Sequence, residues 1–177
     1  MKTDKEEIDF IHMPQAELTG YRVVLETNAG AMEFEMWPDV APEHVRNFLD
    51  LAHTGFYDGK TFHRVIRGFM IQGGCPVGTG TGGGPRRLRA EFNSRPHERG
   101  VLSMARSSDP NSASCQFFVM HARSPHLDGQ YSGFGKLVRG DEVLEKLATT
   151  PTMPGDRPRS PQTIQKARVI HVAPKLS

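Results

Sequence analysis

Apolar and polar residues alternate twice near the start of the chain. Tyr21, Val23 and Leu25 are interleaved with Arg22, Val24 and Glu26, and Met32, Phe34 and Met36 with Glu33 and Glu35. A period of two puts one set on a dry face and the other on a wet one, as in a half-buried strand. Asn28, Ala29 and Gly30 lie between, with a residue tolerant of positive φ at either end, so the two strands are predicted to form a hairpin. The period then changes. Val45, Phe48, Leu49 and Ala52 fall at i, i+3, i+4 and i+7, while Glu43, Arg46 and Asp50 face elsewhere. With Pro42 near its start and Gly55 after its end, this segment is predicted to be a helix lying on a core.

Shorter strands are predicted at 61–66, 69–72, 101–105, 116–120 and 134–138, punctuated by Asp58-Gly59, Gly68 and Asp128-Gly129. A second helix is predicted from Asp141, read as its N-cap, through Leu147, with Val143, Leu144 and Leu147 on its dry side. A loop holding Pro151, Pro154, Pro158 and Pro161 precedes a last strand at 166–172. Closely spaced strands with two helices not regularly interleaved predict an antiparallel sandwich or barrel, not a doubly wound parallel sheet. Residues 1–19 read as a polar lead-in whose small apolar patch, Ile8, Phe10 and Ile11, fits either a tail or an added edge segment. Residues 20–173 hold the domain and 174–177 a C-terminal tail.

Composition narrows the class. A chain of 177 residues fits one domain, and 37% hydrophobic residues with 18 glycines suffice for a buried core. The 18 glycines and 13 prolines agree with many turns. A net charge of +2 gives no argument for nucleic acid or membrane as partner. Cys75 and Cys115 cannot make a disulfide framework and fit a reducing compartment, where thiols behave as small hydrophobes. Without an apolar run of signal-peptide or membrane-span length, the expectation is a soluble cytoplasmic protein.

Several motifs lead nowhere. Gly78, Gly80 and Gly83 satisfy G-x-G-x-x-G, but Pro85, Arg86, Arg87, Leu88 and Arg89 follow instead of a helix with an apolar stripe. A flexible surface loop is the better reading, and a nucleotide binder the remote one. His121 and His126 cannot share a helical face across Pro125, and the cysteines lack C-x-x-C spacing, so no metal site is expected. There is no G-x-S-x-G elbow. In the run from Thr61 to Gly74, however, Arg64 and Gln72 interrupt apolar strands. They either face water or line a polar-edged pocket.

The blocks at 62–74 (Phe-His-Arg-Val-Ile-Arg-Gly-Phe-Met-Ile-Gln-Gly-Gly), 100–105, 116–119, 127–129 and 134–136 resemble the cyclophilins, the cyclosporin-binding class of peptidyl-prolyl cis-trans isomerases. The resemblance runs from about Tyr21 to Val172. It implies a closed eight-stranded antiparallel β-barrel capped by two α-helices, with substrate bound outside a filled interior. It implies a proline pocket of Phe69, Met70, Phe118 and Leu127 with Tyr131 at its edge, and a polar side of Arg64 and Gln72. Arg64, Gln72 and Phe69 are the expected catalytic set. His63, Ala105, Arg106, Ser107, Gln116 and His126 complete the substrate-binding surface, with Ala105, Arg106 and Ser107 in a neighbouring subsite. No cofactor or metal is implied, since rotation about a peptide bond breaks no bond. Partners would be proline-containing peptides and unfolded or folding proteins. His126, where many eukaryotic members carry Trp, implies reduced affinity for cyclosporin, and the family's habit implies a monomer. Cys75 replaces an Asp usual in the family. A second reading of the same groove is a module that holds Pro-containing segments with turnover incidental.

Overall fold

The computed structural model describes residues 7–172; the charged residues Lys2, Asp4, Lys5 and Glu6 and the tail read at 174–177 lie outside them. Eight strands form one antiparallel sheet: β1 (Tyr21–Thr27), β2 (Gly30–Met36), β3 (Arg64–Ile66), β4 (Met70–Gly73), β5 (Val101–Met104), β6 (Phe117–Met120), β7 (Gly133–Arg139) and, last in the chain, β10 (Ile164–His171). Their order is β10-β1-β2-β7-β5-β6-β4-β3. The predicted hairpin is present, with Val23 opposite Phe34 and Leu25 opposite Met32. These four side chains are buried, as the alternation requires.

The sheet is curled and open, not the closed barrel expected. Edge strands β3 and β10 share no ladder. The chain before β3 meets the start of β10 at one bridge, Thr61 with Thr163. Backbone bonds flank it, from Phe62 N to Gln162 O at 2.8 Å and from Ile164 N to Lys60 O at 2.7 Å. The pattern at 61–66 extends the third strand too far: Thr61 bridges Thr163, just before β10, whereas Arg64 pairs with β4.

Two longer helices accompany the sheet, α2 (Pro42–His53) and α3 (Asp141–Ala148); a single turn, α1 (Gln15–Leu18), precedes them. The stripe Val45, Phe48, Leu49 and Ala52 is fully buried. Phe48 meets Tyr57, Phe117 and Phe134 at ring-centroid distances of 5.3, 5.3 and 5.1 Å. Asp141 is not the N-cap of α3. Gly140, at φ 99°, occupies that position, and the Asp141 carboxylate instead accepts from Arg99 Nε at 2.8 Å.

The lead-in is neither a free tail nor an edge strand in its described part. Phe10 and Leu18 are fully buried, and the Phe10 ring meets Tyr21 and His53 edge-on at 5.1 and 5.4 Å. Arg46 of α2 donates to Met13 O at 3.1 Å. The proline-bearing loop holds a further two-stranded ribbon, β8 (Thr152–Met153) with β9 (Arg157–Pro158). Asp156 O at its turn accepts from Val65 N at 2.8 Å, tying the ribbon to β3. No helix among the described residues is long and apolar enough to cross a membrane.

Candidate active site

All four residues of β6 are buried, because both faces of the sheet are covered at this point. Alternation sends Phe117 and Val119 into the interior core. It sends Phe118 and Met120 to a second, smaller apolar cluster on the outer face, with Met70, Val101 and Leu127. Register then lays a row across that outer face. Arg64 stands opposite Gln72, Gln72 opposite Phe118, and Phe118 opposite Ser103. Val65 and Ile71, one step away, point inward and are buried. Arg64 and Gln72 interrupt apolar strands because they belong to the other face.

This face carries a cup of about 190 Å³, lined by Arg64, Phe69, Met70, Gln72, Ala105, Arg106, Phe118, Leu127 and Tyr131. Every one of these positions was expected from the sequence. A second cavity of about 320 Å³ adjoins it, sharing Gln72, Ala105 and Arg106 and adding Ser107 and Gln116. Two expected residues line neither cavity. His63 is buried, and its Nδ1 has no hydrogen-bond partner. Burial, then Arg157 and Arg64, holds its pKa below the ordinary histidine value. His126 lies exposed on the 3₁₀ turn Pro125–Leu127, its ring 5.9 Å from that of Phe69.

The polar side is a chain of hydrogen bonds. The carbonyls of Gly80 and Gly82 accept from Gln116 Nε2, both at 2.9 Å. Gln116 Oε1 accepts from Gln72 Nε2 at 3.1 Å. That fixes the Gln72 amide with its oxygen toward Arg64, whose guanidinium donates to it at 3.4 Å. One weak bond leaves most of the Arg64 fork uncommitted at the mouth of the cup. Arg106, by contrast, is anchored. It donates to Gln130 O at 2.8 Å and to Ser107 O at 2.9 Å, and lies 4.6 Å over the Tyr131 ring.

The floor has an underside that the motifs did not reveal. His97 stacks on Phe118 with centroids 6.2 Å apart, and its Nε2 accepts from Ser103 Oγ at 2.9 Å. The Asp128 carboxylate accepts from His97 N at 2.7 Å and from His97 Nδ1 at 3.2 Å. Burial holds the His97 pKa below the ordinary histidine value, against the opposing pull of Asp128. The backbone bond from His97 leads in holding Asp128 below the ordinary carboxylate value. His121 supports Phe69 in a similar way. Its Nδ1 accepts from Gly68 N at 2.8 Å, its Nε2 donates to Glu145 at 2.7 Å, and its backbone N donates to Phe69 O at 2.9 Å. Nothing in local pattern marks these residues. Asp128 reads as part of a turn and Ser103 as the middle of the strand predicted at 101–105, and only the folded chain joins them to His97.

A curled antiparallel sheet carries on its outer face an apolar cup and an adjoining polar cavity, bordered by an exposed arginine. Residues 22–169 match the model of the cyclophilin type peptidyl-prolyl cis-trans isomerases, and the chain belongs to that family. It is an isomerase of X-Pro peptide bonds. It is 44% identical over 157 residues to a peptidyl-prolyl cis-trans isomerase of Arabidopsis thaliana, covering 86% of this chain and 97% of that one. It is 46% identical over 137 residues to peptidyl-prolyl cis-trans isomerase B of Bacillus subtilis, covering 76% and 94%. Among solved structures it resembles a Cryptosporidium parvum cyclophilin type isomerase, crystallised in the presence of the dipeptide Ala-Pro. The TM-score is 0.81 at 38% identity, covering 86% of this chain and 99% of that one.

Proposed function

We propose that the cup between Phe69, Met70, Phe118 and Leu127 receives the proline ring of an X-Pro segment and that Arg64 drives the rotation. The resting amide is held flat by resonance, with a barrier of ~18–20 kcal/mol. In the twisted amide the nitrogen regains a lone pair. A guanidinium donating to that nitrogen binds the twisted form and not the flat one, so it lowers the barrier without lowering the ground state. Arginine suits the task because it stays charged and holds its donors in a rigid fork. Supporting this reading is the uncommitted Arg64 fork above an apolar floor, with the Gln72 amide already turned to meet it.

Arg64 does not act alone. An acceleration of about five decades corresponds to about 7 kcal/mol at about 1.36 kcal/mol per decade. One charge-assisted hydrogen bond nets only about 1.5–3 kcal/mol. The remainder falls to the floor that grips the ring and to Gln72 and its partners, which hold the carbonyl side. The interior face of the sheet is filled by the apolar core, which leaves the outer groove as the binding surface. Substrates are proline-containing peptides and folding proteins, a reading to which the Ala-Pro dipeptide of the Cryptosporidium structure lends support. Cyclosporin binds more weakly than to members with Trp at the His126 position. Cis-trans exchange of a Pro model peptide, followed with and without cyclosporin, tests both. Arg64→Ala is expected to abolish most of the acceleration while the chain stays folded, and near-parental exchange overturns the assignment.

A further inference from the structure

The glycine-rich loop begins at Cys75 and returns alongside Cys115. We propose that these two residues form a peroxide-driven, thiol-reversible disulfide beside the groove, and that its formation slows isomerisation by releasing the loop that positions Gln116 and Gln72. The register of β4 and β6 ends with Gly73 opposite Phe117. Cys75 and Cys115 each lie two residues beyond that last pair, Cys75 after the turn that Gly74 makes at φ 86°. A disulfide spans Cα atoms roughly 4.4–6.8 Å apart, so the two segments must run side by side at these residues. The two segments stay close past the last pair, since a methyl group on Gly74 would lie 2.9 Å from Cys115 O. Both thiols also border one arm of the loop: a methyl on Gly82 would lie 3.2 Å from Cys75 Sγ, and one on Gly84 3.6 Å from Cys115 Sγ. Both cysteines are free.

The two thiols differ in chemistry. Cys75 Sγ accepts from Gly80 N at 3.3 Å and Gly82 N at 3.2 Å, a cradle that favours thiolate. Burial alone would raise its pKa, but the N–H groups of Gly82, Val77, Gly80 and Thr79 outweigh it and bring the thiol to about 7. Burial, then Cys75, raises Cys115 to about 11. Cys115 borders the cavity of about 320 Å³, and so do Gly80 and Gly82, whose N–H groups hold the buried Cys75 sulfur, so a small oxidant in the cavity has one layer of loop to pass. The Cys75 thiolate attacks one peroxide oxygen. The S–O bond forms, the O–O bond breaks, and hydroxide leaves and takes up a proton to become water. The Cys115 sulfur then attacks the sulfenic sulfur. The S–S bond forms, the S–O bond breaks, and the hydroxyl leaves with the Cys115 proton as a second water. Once bridged, Cys75 no longer offers a thiolate to Gly80 and Gly82. Their carbonyls hold Gln116, which orients Gln72 beside Arg64.

The test treats the purified full-length chain with dilute hydrogen peroxide and follows intact mass, a non-reducing peptide map and isomerase rate. Expected are a mass lower by two hydrogens, a peptide linking residues 75 and 115, and a roughly tenfold slower rate from the displaced site. Dithiothreitol reverses all three, which separates the disulfide from methionine oxidation. Cys75→Ser and Cys115→Ser, each compared with its own untreated sample, form no linked peptide and lose no pair of hydrogens; Cys115→Ser gains at most the one oxygen of a Cys75 sulfenic acid, which dithiothreitol removes. Absence of the linked peptide overturns the proposal, and so does a disulfide that leaves the rate unchanged. The activity arm rests on the groove reading above and the mass arm does not. An Arg64→Ala protein of parental rate would therefore sink that reading while leaving the disulfide to be judged by its mass.

Discussion

Arg64 is exposed, so the two effects of changing it separate cleanly. Exposed positions away from a structural role shift stability by less than about 0.5 kcal/mol. Arg64→Ala is thus expected to keep the parental melting temperature and lose isomerase activity. Arg64→Lys keeps the charge but not the fork, and its rate should fall between the two. Histidines beneath the site give a pH signature. Burial holds both His97 and His63 below the ordinary value in the folded chain. Unfolded, each returns to a pKa of about 6.5. Below that pH the unfolded chain binds more protons, so stability is full above about pH 6.5 and declines as the pH falls toward the folded values. Thermal melts should show a lower Tm at about pH 5 than at about pH 7.5. His97→Gln should flatten part of that slope; an unchanged slope would refute the assignment. Arg64 and Gln72 were legible as anomalies in an apolar run, whereas His97 was not, because its partners Ser103 and Asp128 lie in separate segments.

Elements were legible where the pattern was long. The hairpin of β1 and β2 and the stripe of α2 follow directly from their periods. Two elements escaped. The β8–β9 ribbon has only two residues per strand, too few for any period to show. The segment before β1 carries Phe10 in the short patch with Ile8 and Ile11, and Leu18 eight residues on, too little for a period to show, so its burial comes from contacts with α2 and β1 that no local pattern announces. Phe10→Ala is expected to destabilise the chain by about 3–5 kcal/mol, as other buried Phe truncations do. At roughly 2–4 °C per kcal/mol for a domain of this size, calorimetry should register it clearly. A melting temperature within a degree of the parent would mean that the segment merely rests on the surface. Gly140→Ala probes the start of α3. The new methyl would collide with Ala31 O, and φ of 99° disfavours any side chain, so a loss of about 1–3 kcal/mol is expected in denaturant unfolding.

At the scale of the whole molecule, one sheet serves two apolar clusters. The interior holds the fold together and the outer face forms the floor of the groove. Neighbouring residues of one strand therefore have different fates. Phe117→Ala should cost about 3–5 kcal/mol of stability. Phe118→Ala should cost less stability and more turnover, because its ring faces the cup and Tyr131. Equal melting temperatures with equal rates in the two variants would contradict this division. The two-sided burial also explains why β6 resisted a reading of its faces: with all four residues apolar, no alternation remains to say which side is which. The same feature sets how such a chain can change over time. A single-residue insertion within β6 would slip every later side chain to the opposite face, exchanging ligand floor for load-carrying interior in one step. Substitutions at 118 and 120 can retune the groove one position at a time, but the length of the segment is locked. Gains and losses of residues must enter through the connecting arms.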